Sequence, residues 1–348
     1  MALHILERLS RRQRRAIAGA VGAVVLLAVV VANQPEGTNA AHKPLTPAVA
    51  RPSGVVPLTG AIPLPVLTLL HDRIRFTDGS AAHPNPPKVE AASGILVDVD
   101  NGTILWARDP HTARPPASTA KVLSSLVALA NFDPDRVVTI TPDALNQAGD
   151  ETRMGLLAGN RLTVRELLQG MLLASGNDAA DAIAIDTVGM DVFVNTMNQQ
   201  LGALGLHDSH FVTPVGLDDP MQRASAYDLA AIAAVDVARF PLFRQIVATT
   251  DMVLPASPDH PEFDLGNLNR LLRIYPVADG IKPGWTGDAG PCLIAMAERD
   301  GHRLISVVMN APQLYTDSRA LLDWGFVQMG MPSTLPTPTP TPTPKKRP

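Results

Sequence analysis

Prolines are concentrated at the two ends of this 348-residue chain. Ten lie in residues 33–88 and seven in residues 332–348, against fifteen in the 243 residues between. Because proline fixes φ and removes a backbone donor, such stretches favour extended segments over packed elements. The sequence therefore predicts one folded domain at 89–331, a proline-rich linker at 33–88 and a disordered Thr-Pro-rich tail at 332–348. An apolar patch at 61–70 is expected to dock on the domain.

Charge is divided along the same boundaries. Residues 89–331 carry a net charge of −13, whereas the flanking segments are net basic. Nucleic-acid binding depends on basic surfaces, so a strongly acidic domain argues against a nucleic-acid partner. The single cysteine, Cys292, excludes an internal disulfide and predicts a small buried side chain.

The first 32 residues predict export from the cytoplasm. Five arginines precede residue 16, and residues 16–32 are uncharged and almost wholly apolar. Positive charge before an apolar segment places the N-terminus in the cytoplasm and the following chain outside it. Seventeen residues fit both a short membrane span and a cleaved signal. The long arginine-rich lead favours a single-pass anchor in the cell membrane, and cleavage would instead give a secreted protein.

Secondary-structure patterns change along residues 89–331. An Asn-Gly pair at 101–102 predicts a hairpin over residues 93–106, and a mostly helical stretch follows from 118 to about 248. Within that stretch, Thr163 and Glu166 form a predicted capping box that begins a helix. Further strands are predicted at 279–286, 291–297 and 303–310, and a last helix at 315–328. Strands at both ends predict an α+β fold, in which one antiparallel sheet is flanked by helices and carries a helical subdomain.

Three short segments contain the residues that suggest chemistry. Residues 118–121 read Ser-Thr-Ala-Lys, residues 175–177 read Ser-Gly-Asn and residues 282–284 read Lys-Pro-Gly. Pro115 and Pro116, which come just before the first segment, place Ser118 at a predicted helix N-terminus. On a helix, residues i and i+3 share a face. The amine of Lys121 is therefore predicted to reach the hydroxyl of Ser118.

The lysines in these segments are unusual for this domain. Sixteen basic residues lie in 89–331, and all except Lys121 and Lys282 are arginine. A desolvated lysine can lose its proton and activate a serine, whereas arginine stays protonated. Work at neutral pH requires the pKa of Lys121 to fall by about three units through burial and cationic neighbours. Lys282 is a candidate neighbour, expected to stay charged and hold an anionic group of a substrate.

The segments and their flanks resemble the serine D-alanyl-D-alanine carboxypeptidases of the low-molecular-mass penicillin-binding proteins, peptidase family S11. The resemblance covers about residues 88–328, with flanking matches that include Met-Gly-Leu at 154–156 and Gly-Leu-Asp-Asp-Pro at 216–220. It implies a β-lactamase/transpeptidase-like fold and a substrate of peptidoglycan stem peptides ending in D-Ala-D-Ala. It also implies covalent inhibition by β-lactams and no cofactor.

The resemblance implies roles for the residues of the first two segments. Ser118 would attack the peptide carbonyl, and Lys121 would accept its proton. Ser175 and Asn177 would relay the proton to the leaving amine and hold the substrate backbone. The backbone N–H groups of Ser118 and Trp285 would form the oxyanion hole.

The third segment departs from the family pattern. Lys282 would attract the terminal carboxylate, but Pro283 stands where the family has a hydroxyl residue. Proline is tolerated on an edge strand, yet it offers neither a hydroxyl nor an N–H to a carboxylate. Thr286 has the strand parity of Lys282 and is predicted to substitute in part. Gly284, Trp285 and Thr286 complete the predicted substrate-binding residues.

Other functions stay open on the sequence. A DD-endopeptidase acting on cross-links is one, and a degenerate, non-catalytic peptidoglycan-binding protein is another, which Pro283 keeps open. A class A β-lactamase is disfavoured, because that type needs a glutamate after the second motif to activate the deacylating water and none occurs from 167 to 261. His207 and His210 have metal-ligand spacing but no third ligand, so no metal site is predicted.

Overall fold

The computed structural model describes residues 67–72 and 74–334. The predicted anchor at 16–32, the linker up to residue 66 and the tail from residue 335 lie outside the described residues. In the described part of the chain, no helix is both long and apolar enough to cross a membrane.

Ten strands and eight α-helices are found among the described residues. The strands are β1 (Thr77–Asp78), β2 (Ser93–Asp98), β3 (Thr103–Arg108), β4 (Val137–Thr139), β5 (Arg161–Thr163), β6 (Asp251–Leu254), β7 (Phe263–Gly266), β8 (Ala278–Thr286), β9 (Gly290–Arg299) and β10 (His302–Met309). The helices are α1 (Lys121–Asn131), α2 (Val164–Leu172), α3 (Asn177–Ile185), α4 (Met190–Leu204), α5 (Ala226–Arg239), α6 (Pro241–Ala248), α7 (Leu271–Ile274) and α8 (Leu314–Gln328).

Six strands form one sheet in the order β1-β3-β2-β10-β9-β8. Neighbouring strands are antiparallel except β1 and β3, which run parallel. The first and last parts of the domain thus pair in one sheet, as predicted. The sequence does not predict β1 or the separate hairpins β4-β5 and β6-β7, because strands of two to four residues show little alternation.

The predicted hairpin is formed by β2 and β3. In its turn Gly102 has a φ of 65°, which glycine adopts without a Cβ penalty. The Asp98 carboxylate accepts hydrogen bonds from the backbone N–H groups of Asp100 and Asn101, at 3.1 and 3.2 Å. Contacts between residues close in sequence therefore fix this turn.

Helices cover both faces of the sheet. Ile95 and Val97 belong to the larger core, which is shared with the helices between β3 and β6, whereas Leu96 belongs to a smaller core shared with α8. Successive strand residues point to opposite faces. Because helices cover both faces, β2 is buried along its whole length. The predicted α+β fold, a sheet flanked by helices, is confirmed.

Helix α2 begins with the predicted capping box. The Thr163 hydroxyl accepts from the Glu166 N–H at 3.2 Å, and the Glu166 carboxylate accepts from the Thr163 N–H at 2.7 Å. These bonds satisfy donors that the first helical turn leaves free. The helix ends at Leu172, three positions before the second motif begins at Ser175.

Part of the predicted linker packs on the domain, and we call residues 67–72 and 74–76 the strap. Leu67 and Leu70 lie against the larger core, which confirms the expected docking for the described part of the patch at 61–70. The Gln200 side chain donates to the Leu70 carbonyl at 2.7 Å and accepts from its N–H at 2.8 Å. The Phe76 N–H donates to the Tyr227 hydroxyl at 3.1 Å.

Candidate active site

The three predicted segments meet at one cleft of about 730 Å³. Ser118 lies in the 3₁₀ turn Ala117–Ala120, Ser175 and Asn177 lie at the start of α3, and residues 283–286 belong to β8. Residues 150–152 and 215–218 line the cleft as well. Elements far apart in sequence are therefore joined by the closure of the sheet and the packing of the helices.

Ser118 and Lys121 face each other as predicted. The Lys121 Nζ atom lies 3.1 Å from Ser118 Oγ. Ala117 has a φ of 49°, in the left-handed region that residues other than glycine rarely occupy, and α1 begins only at Lys121. Ser118 thus stands on a strained turn of the kind found at functional sites.

Lys121 is fully buried and has three hydrogen-bond partners. Besides Ser118, its Nζ atom contacts Asn177 Oδ1 at 2.6 Å and the Val215 carbonyl at 3.0 Å. Burial lowers the pKa of Lys121 to about 7, against the opposing effect of nearby acidic groups such as Asp181 and Glu151. A large fraction of this amine is therefore neutral near pH 7, as a base for serine requires.

Asn177 joins Lys121 to Glu151, a residue that the sequence did not single out. While Asn177 Oδ1 contacts Lys121, Asn177 Nδ2 donates to Glu151 Oε2 at 2.5 Å. Glu151 lies 26 positions before Asn177 and in no recognised motif, so no local signal identifies it. Its carboxylate lines the cleft.

The second motif is held by its neighbour Asp178. The Asp178 carboxylate accepts from the backbone N–H groups of Met154, Gly155 and Leu156 at 2.8 to 3.0 Å. Asp178 therefore ties the segment at 154–156 to the start of α3. Ser175, with a φ of 57°, is placed in the cleft wall beside this junction.

Lys282 lies beneath the cleft and is fully buried. Its Nζ atom donates to the Pro283 carbonyl at 3.0 Å. Burial, and to a lesser extent the proximity of Lys121, lowers the pKa of Lys282 well below its usual value. Burial therefore opposes the charged form that the sequence predicts for this lysine.

Two glycines allow the backbone around Ser118 to pack closely. A Cβ atom on Gly284 would lie 2.7 Å from the Ser118 backbone nitrogen, and one on Gly216 would lie 1.9 Å from the Ala117 carbonyl oxygen. Gly216 also has a φ of 88°. Pro283, next to Gly284, lies on β8 at the edge of the sheet, where a missing N–H is tolerated.

The end of β8 is fixed by Asp218, another residue that was not singled out as part of the site. Its carboxylate accepts from the Thr286 hydroxyl and, at 3.1 Å, from the Asp288 N–H. The Thr286 hydroxyl also accepts from the Ala289 N–H at 3.2 Å. Trp285, which precedes Thr286 on β8, lines the cleft and is 71% exposed.

Across residues 67–72 and 74–334, no group of three histidine, cysteine or acidic side chains is placed to hold a metal ion. His207 and His210 both lie exposed on the surface. Cys292 is buried as predicted, and burial raises its pKa to about 11.

A mixed sheet covered by helices, with a serine beside a buried lysine at its edge, defines a serine hydrolase of the penicillin-binding-protein type. The family model described as D-alanyl-D-alanine carboxypeptidase matches residues 80–313. The chain therefore belongs to peptidase family S11, the D-alanyl-D-alanine carboxypeptidases.

Curated relatives agree with this assignment. D-alanyl-D-alanine carboxypeptidase DacB2 from Mycobacterium tuberculosis is 37% identical over 256 residues, which cover 71% of this chain and 85% of DacB2. DacF from Bacillus subtilis is 33% identical over 248 residues, which cover 69% of this chain but 63% of DacF. The chain thus spans less than two thirds of some relatives.

Solved structures show the same fold. A D-alanyl-D-alanine carboxypeptidase from Mycobacterium tuberculosis matches with a TM-score of 0.66 and 36% identity, over 71% of this chain and 95% of that one. The Streptomyces K15 DD-transpeptidase matches with a TM-score of 0.66 and 29% identity, over 70% and 99% of the two chains. The predicted transpeptidase-like fold is confirmed.

Proposed function

We propose that this protein removes the terminal D-alanine from peptidoglycan stem peptides through an acyl-enzyme on Ser118. The observation that carries the proposal is the 3.1 Å contact between Ser118 Oγ and the buried amine of Lys121. With a pKa of about 7, that amine can accept the serine proton at neutral pH. Family membership supplies the substrate class.

Acylation uses the residues of the first two motifs. Ser118 attacks the carbonyl carbon of the D-Ala-D-Ala bond while Lys121 takes its proton. The proton passes by way of Ser175 to the nitrogen of the leaving D-alanine, and the C–N bond breaks. Asn177, which is held by Lys121 and Glu151, orients the substrate backbone at the cleft wall.

The oxyanion is bound by the backbone N–H groups of Ser118 and Trp285. The close approach of Gly284 to the Ser118 nitrogen supports this role, because it brings the adjacent Trp285 next to the same turn. Each donor of this kind contributes about 10²–10³ in rate.

Lys282 and Thr286 bind the substrate carboxylate. An incoming carboxylate favours the ammonium form of Lys282 and so opposes the effect of burial on its pKa. Thr286 contributes a hydroxyl where Pro283 has none, once its bond to Asp218 is rearranged. A β-lactam carries a comparable carboxylate and acylates Ser118 in the same way.

The domain acts outside the cytoplasm, tethered by residues 16–32 as a single-pass anchor. Five arginines before this apolar segment support that orientation. A protease-protection assay on membrane vesicles, with antibodies to each end of the chain, tests it. Recovery of the domain in the soluble extracytoplasmic fraction, lacking residues 1–32, would establish a cleaved signal instead.

The activity is tested with a pentapeptide ending in D-Ala-D-Ala. Release of free D-alanine by the protein, and its loss in Ser118→Ala, is the expected result. A cross-linked peptide dimer assayed in parallel measures any endopeptidase activity. Absence of D-alanine release together with absence of labelling by a fluorescent penicillin would leave the non-catalytic binding protein as the better description.

A further inference from the structure

Three acidic residues line the cleft and transfer no proton in the proposed acylation mechanism: Asp150, Glu151 and Asp218. Asp218 is engaged by Thr286 and Asp288 at the end of β8. Asp150 is exposed. Of the three, Glu151 is the one bonded to Asn177, and through it to Lys121. It is therefore the carboxylate best placed to act beside the acylated serine.

Glu151 is held in a defined position. Its Oε2 atom accepts from Asn177 Nδ2 at 2.5 Å, and its Oε1 atom accepts from the Ala148 N–H at 2.7 Å. A carboxylate oxygen has two lone pairs, so each oxygen can accept one more hydrogen bond. A water molecule in the cleft can supply it.

Lys121 can reach water in the cleft only through its neighbours. It is fully buried and contacts Ser118, Asn177 and the Val215 carbonyl, and it is not among the residues that line the cleft. Hydrolysis of an acyl-enzyme uses water that enters from the cleft. A carboxylate that lines the cleft can take the proton of that water directly.

We infer that Glu151 is the general base of deacylation, an inference that rests on the proposed acyl-enzyme. The water oxygen attacks the ester carbonyl carbon while Glu151 takes one water proton. The tetrahedral intermediate then collapses, the bond from the acyl carbon to Ser118 Oγ breaks, and the proton on Glu151 returns to that oxygen. The water oxygen and its second proton leave in the product acid, which ionises.

Glu151 changes what the sequence leads us to expect for hydrolysis of the acyl-enzyme. The sequence has no glutamate from 167 to 261, after the second motif. The fold instead supplies Glu151 from before that motif. Ester intermediates formed from peptides and from β-lactams are expected to share the step, so bound penicillin is expected to be released by hydrolysis.

The test separates formation of the acyl-enzyme from its hydrolysis in Glu151→Gln. Glutamine is not a base at neutral pH. Its single oxygen can accept from Asn177, and its amide nitrogen then faces the Ala148 N–H. Labelling by fluorescent penicillin gives the acylation rate, and loss of label after dilution into unlabelled penicillin gives the release rate. Both are measured at pH 8, where Lys121, with a pKa of about 7, is largely neutral. We expect release to slow by at least about 10²-fold more than acylation does, which is the usual contribution of a general base.

Asp150→Asn is the matched control, because Asp150 lines the same cleft but is not bonded to Asn177. Its acylation and release rates should both equal those of the parent. Release from Glu151→Gln at the parent rate would overturn the inference. Equal losses in acylation and release would overturn it as well, since they would show that Glu151 only positions Asn177 and Lys121. An unlabelled parent would refute the proposed function itself, and the inference with it.

Discussion

In the proposed mechanism, the protonation state of the buried amine of Lys121 decides whether Ser118 is activated. Burial lowers its pKa to about 7, whereas an exposed lysine would stay protonated throughout the neutral range. The neutral fraction of an amine rises about tenfold per pH unit below its pKa and levels off above it. If Lys121 is the base, as proposed, this residue sets both the reactivity of the serine and its dependence on pH.

The acylation rate is predicted to follow the neutral fraction of Lys121. The second-order rate constant for labelling by fluorescent penicillin should rise about tenfold per pH unit up to pH 7 and then reach a plateau. Lys121→Arg, which keeps the charge but cannot deprotonate, should reduce labelling by at least about 10²-fold. A rate that stays constant between pH 5.5 and 8 would show that another group is the base.

Gly284 provides a second prediction at this scale. In Gly284→Ala the new methyl group would lie 2.7 Å from the Ser118 nitrogen, so β8 and the serine turn must move apart. A misplacement of about 1 Å at a reacting centre typically costs about 10²-fold in rate, which stopped-flow acylation measures. Gly202→Ala, where nothing lies within 4 Å, is the matched control and should acylate like the parent. Similar rates for both variants would contradict the proposed packing.

Strand β8 is the element on which the third motif depends. It forms one edge of the sheet and approaches the turn Ala117–Ala120 through Gly284. Its end is tied to the segment at 215–218 through Asp218. The strand therefore tolerates Pro283 as backbone, while the missing hydroxyl leaves Thr286 as the nearby candidate for carboxylate binding.

Thr286→Val is predicted to slow acylation by β-lactams by about 10- to 100-fold, because a hydrogen bond to a charged group contributes about 1.5–3 kcal/mol. Thr286→Ser retains the hydroxyl and should stay close to the parent. Rate constants for acylation by fluorescent penicillin provide the measurement. Equal rates for the valine variant and the parent would assign the carboxylate to Lys282 without help from Thr286.

At the scale of the whole molecule, the strap attaches the start of the described chain to the folded domain. Gln200 on α4 satisfies both backbone groups of Leu70, and Phe76 packs edge-on against Tyr227 with ring centroids 5.5 Å apart. These contacts join residues more than 100 positions apart. They fix the strap on the surface of the domain.

Gln200→Ala is predicted to lower the free energy of unfolding by about 1–3 kcal/mol, because it leaves the N–H and carbonyl of Leu70 without partners. Gln199→Ala is the matched control, since Gln199 is exposed, and it should change stability by less than about 0.5 kcal/mol. Urea unfolding followed by circular dichroism measures both. No difference between the two variants would show that the strap contributes little to stability.

The sequence by itself determined the features that depend on neighbouring residues. The hairpin at Gly102, the capping box at Thr163 and the facing of Ser118 and Lys121 all follow from turn geometry, caps and helical spacing. The family pattern added the order of the three motifs. These interactions act over a few residues, so a linear sequence contains the information needed to predict them.

Only the tertiary structure decided which distant groups share an environment. Glu151 reaches Asn177 across 26 positions, and Thr286 reaches Asp218 across 68. Lys282, predicted to be charged, lies where burial favours the neutral amine. Such pairings and desolvation effects depend on how the sheet closes and the helices pack. No local pattern specifies that packing, so the sequence alone does not reveal them.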